Sequence, residues 1–320
     1  MQPQRRHLGL DLGGTNTKWA VVEHDGEDWR TLATGQGPTP AKAGPDAVVA
    51  RLATMGAEVV ATWPGVSSVG IGVPGLYDPA TGSTRFLVNV PGPWAGKPVA
   101  GPVGDALGLP ASLINDARAF GLAELRLGAG RGARSMVGLT LGTGVGGVIA
   151  IDGRVLHGHD GTAGEVGHQT IDPDGPWCGC GNRGCVEAYA RADQLALACG
   201  TATAEEAVTR ARAGDERALD GLAQVGRYLG IGIANMITII SPDTIVIGGG
   251  VAAAGDLLFD PIRAEVRRRV RTTSLESVTI VAAALGTWAG AIGAAVHGAE
   301  AAAQPAGEAR RAPTAEGPSA

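Results

Sequence analysis

The sequence predicts an α/β protein built from two similar halves. Short apolar strands alternate with helix-patterned stretches along the chain, as in layered α/β folds. Each half opens with two strands joined by a glycine turn, Gly13-Gly14 in the first and Gly142 to Gly147 in the second. Glycine supplies 52 of 320 residues, far above the usual share of about 7%, and no Gly-X-Y period accompanies it, so the excess belongs to turns. At about 150 residues per domain the length suggests two domains.

The first half begins with a strand in which Leu8, Leu10 and Leu12 alternate with small or polar residues. The turn Gly13-Gly14-Thr15-Asn16 returns it as a second strand, Lys18 to Val22, a hairpin pattern. Ala47, Val48, Leu52 and Met55 set a helix over Pro45 to Val60. Val69 to Val73 is an apolar strand closed by Pro74-Gly75, and Ser112 to Ile114 a short one ending at Asn115-Asp116. A helix follows at once, Ala117 to Leu127. The second half repeats the theme with Met136 to Leu141, the glycine loop, and Val148 to Ile151. A long helix runs from Glu216 to Ile240 and stops before Pro242. Thr244 to Ile247 is a buried strand ending in Gly248-Gly249-Gly250, which opens a helix. Val278 to Ala282 is the last strand and Thr287 to His297 the last helix. Beyond Gly298 the chain is Ala, Pro, Glu and Gly without periodicity, and disorder is expected there.

A hydrophobic share of 44% excludes wholesale disorder. A net charge of −5 argues against a general nucleic-acid binder. No uncharged apolar run reaches the roughly 18 residues of a membrane span, and the first residues lack the apolar core of a signal peptide. A cytoplasmic protein is expected.

Three glycine loops follow strands. The first, Asp11 to Lys18, sets a carboxylate beside exposed backbone N–H groups and the Thr15 hydroxyl, a set suited to phosphate and hydrated Mg²⁺. An ordinary hairpin turn with a solvent-facing Asp has the same pattern. The second is Leu141 to Gly147, with Thr143 and Gly144 at its tip, and the third is Gly248 to Gly250. The first loop has neither the G-x-x-x-x-G-K nor the G-x-G-x-x-G spacing, and the second precedes a strand rather than a helix, which argues against a Rossmann site. Asn115-Asp116 at a strand end suits a proton acceptor with an orienting amide. It equally suits a helix cap.

The most specific signal is Glu165-Val-Gly-His168, followed by Cys178-Gly-Cys180-Gly-Asn-Arg-Gly-Cys185-Val-Glu187. One His and three Cys make a full tetrahedral Zn²⁺ set, and four protein ligands leave no open position, so a structural ion is expected on His168, Cys178, Cys180 and Cys185. Cys199 is read as a small core residue. Arg263, Arg267, Arg268, Arg269 and Arg271 are read as the wet face of a helix. His7, His24, His157, His159 and His297 are read as surface residues, and Trp19, Trp63, Trp177 and Trp288 as packing.

Together the Asp11–Lys18 loop, Gly72-Val-Pro-Gly75, Asn115-Asp116, the Thr143–Gly147 loop, Glu165-x-Gly-His168 and the cysteine run to Glu187 resemble the ROK sugar kinases, within the actin and hexokinase superfamily. The resemblance runs in order from about residue 8 to 297. It implies two RNase H-like (actin-like ATPase) domains flanking a cleft. The small first domain, 1–116, would be completed by a C-terminal helix at about 287–298. The large one, 117–286, would carry the zinc loop 165–187, with a disordered tail at 299–320. It implies an ATP-dependent hexose 6-kinase with Asp116 as general base. Gly75, Asn89, Asn115, Glu165, His168 and Glu187 would bind the sugar. Asp11, Gly13, Gly14, Thr15, Asn16, Lys18, Thr143, Gly144 and Gly249 would bind ATP, with Asp11 placing Mg²⁺. A homodimer or homotetramer is implied as well.

Glucose is the expected sugar, with fructose, mannose, N-acetylglucosamine, N-acetylmannosamine and amino sugars such as kanosamine as alternatives. Polyphosphate is an alternative donor, for which no strongly basic groove is evident. Sugar-responsive repressors of the family carry an N-terminal helix-turn-helix domain. Here about seven residues precede the first strand, so a kinase is expected over a regulator.

Overall fold

The structure is a computed structural model and describes residues 5–304. The first half forms a five-stranded sheet from β1 (Arg5–Leu12), β2 (Asn16–His24), β3 (Trp29–Pro38), β4 (Val66–Val73) and β8 (Ala111–Asn115), in the order β3-β2-β1-β4-β8. The second half forms another from β9 (Ser135–Leu141), β10 (Val145–Ile151), β11 (Arg154–Val155), β12 (Thr244–Gly248) and β13 (Thr279–Ala282), in the order β11-β10-β9-β12-β13. The two orders are the same third-second-first-fourth-fifth pattern. In each sheet the glycine hairpin is antiparallel and the fourth and fifth strands add in parallel. The duplication expected from the two hairpins is therefore present in the topology.

Helices α1 (Pro45–Thr62) and α2 (Ala100–Leu107) pack in the first half. Leu8, Leu10 and Leu12 meet Val48 and Leu52 of α1 in one core. A small sheet, β5 (Gly75–Asp78), β6 (Ser83–Leu87) and β7 (Lys97–Pro98), projects after β4. The second half adds α4 (Val186–Ala190), α5 (Ala192–Cys199), α6 (Ala204–Arg212), α7 (Glu216–Ile240) and α8 (Asp256–Arg269) around its own core. Gly249 does not open an α-helix directly; a short 3-10 turn, Gly250–Ala254, intervenes before α8. Among the described residues no helix is long and apolar enough to cross a membrane.

Two helices join the halves. Helix α3 (Asp116–Arg126) leaves the end of β8, and α9 (Ala289–Ala303) returns to pack on β1 and β4 as well as on α3. Phe120 of α3, Ala291 and Ile292 of α9, Val22 of β2 and Val246 of β12 share a core between the sheets. This close approach depends on glycine: a Cβ at Gly9 would run into the Ala291 carbonyl and one at Gly70 into that of Ala294.

Several expectations need correction. Helix α9 continues to Ala303, so residues 299–303 are helical and not a disordered tail; from 305 onward that expectation falls outside the described residues. His7 is buried with Nδ1 2.8 Å from Ser68 Oγ and is not a surface residue, and His297 is half-buried on α9. Burial pushes both down to about 4. Trp177 does not pack in the core; it is 67% exposed and lies under the Arg183 guanidinium. Cys199 is buried as expected. The arginines of α8 do face outward, and Arg268 and Arg269 hold the buried Glu265.

Candidate active site

In both sheets the candidate residues stand at the carboxyl ends of parallel strands, where open α/β sheets bind ligands. Asp11 lies near the end of β1, Pro74-Gly75 follows β4, and Asn115 ends β8. Thr143 follows β9, and Gly249 follows β12.

Asn115 and Asp116 perform both roles that their types allow. Asn115 caps α3, its Oδ1 accepting from the N–H groups of Ala117 at 3.1 Å and Arg118 at 3.2 Å. Its Nδ2 donates to the Gly75 carbonyl at 3.2 Å and to Asp116 Oδ1 at 3.0 Å. The cap thus fixes the carboxylate of Asp116 beside the backbone of Gly75. Burial pushes Asp116 up to about 7; the Asp11 charge adds to this, the Ala117 N–H opposes it, and Glu165 raises it further. Asp11, in line with Gly72 and Ile114 across the sheet, is pushed up to about 6 by burial against the pull of Lys18, its strand partner. Three carboxylates from three separate segments therefore share one field, an arrangement typical of functional sites.

The first glycine turn is closed by the Gly13 N–H donating to the Asn16 carbonyl at 3.1 Å, with Thr15 and Asn16 exposed. Gly14 presses on the backbone of Asn89, an exposed residue at φ 61°. Lys18 Nζ donates to Thr287 Oγ1 at 2.6 Å, so the hairpin touches the segment entering α9. In the second half the Gly142 N–H donates to the Gly144 carbonyl at 2.9 Å and leaves Thr143 exposed at the tip. Gly249, at φ +87°, lies against the Leu141 backbone, where any side chain would collide. The third loop thus joins the second, whereas no hydrogen bond links the first to the second among the described residues.

Glu165 begins a 3-10 turn, Val166–His168, and the His168 N–H donates back to its carbonyl at 3.0 Å. Gly167 in that turn is pressed on the Val145 backbone at the start of β10. One ring nitrogen of His168 and the thiols of Cys178, Cys180 and Cys185 all lie within 4.8 Å of one another. The Cys178 sulfur is 3.6 Å from His168 Nδ1, and the sulfurs of Cys180 and Cys185 are 3.7 Å apart. A tetrahedron with Zn–S of about 2.3 Å has edges of about 3.8 Å. The donor set and its spacing fit zinc, and His168 Nε2 remains available on the other side of the ring. Glu187 ties this loop to the second glycine loop: its Oε2 accepts from the Val145 N–H at 3.0 Å and its Oε1 from the Cys178 thiol at 3.4 Å.

Two buried charged residues escaped sequence reasoning. Arg118 donates to the Ala163 carbonyl at 2.8 Å and to Glu165 Oε1 at 3.3 Å. Its signal is an arginine two positions after Asp116 in the otherwise apolar stretch from Ala117 to Ala123. Glu124 accepts from the N–H groups of Ala129, Ala284 and Leu285, which fixes the connection from β13 into α9. Its partners lie too far along the chain for any local pattern to reveal.

A family model described as "ROK family" matches residues 7–299. The glucokinase of Thermotoga maritima is 35% identical over 312 residues, covering 92% of this chain and 97% of that protein. The solved ROK hexokinase of Thermus thermophilus superposes with a TM-score of 0.81 at 37% identity, covering 93% of this chain and 99% of that one. A ROK family glucokinase from Streptomyces griseus, solved in complex with glucose and AMPPNP, gives 0.76 at 32% identity, covering 92% and 99%. The doubled five-stranded sheet is thus the actin-like ATPase fold, and with motifs and family model in agreement over nearly its whole length, the chain belongs to the ROK family.

Proposed function

We propose that this chain is an ATP-dependent hexose 6-kinase that converts glucose and ATP to glucose 6-phosphate and ADP. The observation that carries the reading is Asp116: a half-buried carboxylate, raised by desolvation, held by Asn115 next to Gly75, between the acids of the nucleotide side and those of the zinc side. Glucose as the substrate rests on the relatives, which are named glucokinases at 35% and 32% identity.

The hydroxyl at C6 is a weak nucleophile until it loses its proton. Asp116 accepts that proton as the oxygen forms its bond to the γ-phosphorus and the bond to the ADP oxygen breaks. Asn115, Glu165, His168, Glu187 and Asn89, with the Gly75 backbone, orient the sugar. Backbone N–H groups of Gly14 and Gly144 face the phosphates, with Gly13, Thr15, Asn16, Lys18, Thr143 and Gly249 completing the nucleotide side. Magnesium, when bound with ATP, neutralises phosphate charge, and Asp11 is the residue to hold it. His168, Cys178, Cys180 and Cys185 would hold zinc, which would stiffen the loop that carries Glu165, His168 and Glu187 and leave His168 Nε2 for the sugar.

We further read residues 1–116, completed by α9, as one domain and 117–286 as the other, with substrates between them. A cytoplasmic location and a homodimer or homotetramer belong to the same reading. Light scattering that returns monomer alone at micromolar concentration would remove the oligomer. The test of function is a panel of glucose, fructose, mannose, N-acetylglucosamine, N-acetylmannosamine and kanosamine with Mg·ATP, following ADP release. Glucose should give the highest kcat/KM. A faster amino sugar would move the substrate, and no ADP with any sugar would remove the reading.

A further inference from the structure

We propose that Arg118 is a positioning residue for phosphoryl transfer, which pins the Glu165 turn to the first turn of α3 so that Glu165 and Asp116 address the same sugar. The proposal rests on the kinase reading of this site. The Arg118 side chain is 1% exposed, on a helix whose neighbouring residues Ala117, Ala119 and Phe120 are buried too. Burying a guanidinium is costly unless its charge is answered, and an apolar residue would fill such a position at no such cost. A need beyond packing is implied.

Its partners identify that need. One terminal nitrogen donates to both the Ala163 carbonyl and Glu165 Oε1, two points on a loop 45 and 47 residues further along the chain. That loop has no regular structure from Leu156 to Glu165, and Gly158, Gly161 and Gly164 hold it at φ of +73°, +87° and +92°. A segment so built has many unfolded alternatives, so a clamp is what gives it one position. The clamp comes from behind: the Glu165 carboxylate stays 41% exposed, and its Oε2 makes no hydrogen bond among the described residues. One oxygen is held and the other is free to accept from a ligand hydroxyl. The clamp is also rigidly coupled to the base, because the Asn115 cap bonds the Arg118 N–H and the Asp116 carboxylate together. Arg118 also lines a small cavity between Gly75 and Tyr77 on one side and Asp160 and Thr162 on the other. Its Nε is buried without a partner, so the residue serves the loop and not its own full satisfaction.

The test compares Arg118→Met and Arg118→Lys with wild type, alone and in a Glu165→Gln background, reading KM for glucose, KM for ATP, kcat and melting temperature. A lost hydrogen bond between charged groups corresponds to about 10- to 100-fold in affinity. Arg118→Met should raise the glucose KM by about that factor and leave the ATP KM within twofold, with Arg118→Lys recovering part of the loss. In the Glu165→Gln background the same change should add far less than it does alone. If Arg118→Met does not fold, Arg118→Lys decides by the same criteria. A folded variant with unchanged glucose KM, equal rises for glucose and ATP, or fully multiplicative effects in the double variant would overturn the proposal. Glucose affinity by calorimetry without ATP separates it from the kinase reading. Wild type that binds glucose without phosphorylating it would sink the kinase and leave the clamp testable by affinity. Wild type that does neither overturns both.

Discussion

Replacing Asp116 by Asn tests base and burial in one variant. The amide keeps the shape of the side chain, and its oxygen can still accept from the Ala117 N–H, which Asp116 Oδ1 does at 2.8 Å. The cap on α3 belongs to Asn115 and is untouched. What changes is charge. A carboxyl raised from 3.8 to about 7 holds its proton in the folded state after the unfolded chain has lost it. Stability therefore falls as pH rises from about 4 to 7, and above 7 the ionised Asp116 costs the fold up to about 4 kcal/mol, an upper bound because solvent enters an open site. The Asn variant carries no such cost. It should melt higher than wild type at pH 8 and no higher at pH 4. Its kcat should fall by about 10²- to 10⁴-fold, the usual scale for a lost general base. In wild type, kcat/KM should rise with pH through about 7 as Asp116 ionises. The assay couples glucose 6-phosphate to dehydrogenase-dependent NADPH formation, beside calorimetric melts at the two pH values. A folded Asn variant with near-wild-type turnover would show that Asp116 is part of the helix start and nothing more. A variant no more stable than wild type at pH 8 would refute the burial argument.

Elemental analysis should find one zinc per chain, and Cys180→Ser should raise the glucose KM strongly while the ATP KM, set by other loops, changes much less; zinc-free wild type or unchanged sugar affinity would end that claim. Gly70→Ala should destabilise by at least about 3 kcal/mol, the upper end of overpacking, because a methyl there meets the Ala294 carbonyl of α9; a melting point near wild type would mean that α9 does not sit so close. His297 is held down to about 4 by burial first and then by His157, with a hydrogen bond to the Leu113 backbone opposing. Its neutral form is favoured in the fold, so the stability it permits is complete above about pH 6.5 and is lost as pH falls toward 4. His297→Gln should flatten the stability–pH curve over that window, and an unchanged curve would remove His297 as its cause.

The sequence was most legible where chemistry restricts residue choice. The two hairpins could be read because the turn at Gly13-Gly14 and the loop at Gly142 to Gly147 punctuate apolar strands, and the repeated strand order follows from them. The His168 and cysteine set could be read because few residue types bind zinc. Strand β3 could not: WRTLATGQGP is an edge strand, half-exposed along its length, so no alternation marks it. The far end of α9 was lost because AEAAA after Gly298 reads as low-complexity chain. Its small residues in fact allow the helix to lie on Gly9 and Gly70. His297 and Arg118 depend on partners from distant segments, Leu113 for the one and Glu165 for the other, and sequence spacing is silent about both.

Asp116 as general base should direct ATP-dependent transfer to the sixth oxygen of glucose. The most direct measurement is phosphorus NMR of the products from glucose and Mg·ATP, with wild type and with Asp116→Asn. Wild type should yield ADP and glucose 6-phosphate in equal amounts, and the variant neither in the same time. ADP with free phosphate, phosphate on another oxygen, or the same product at a similar rate from the variant would contradict it.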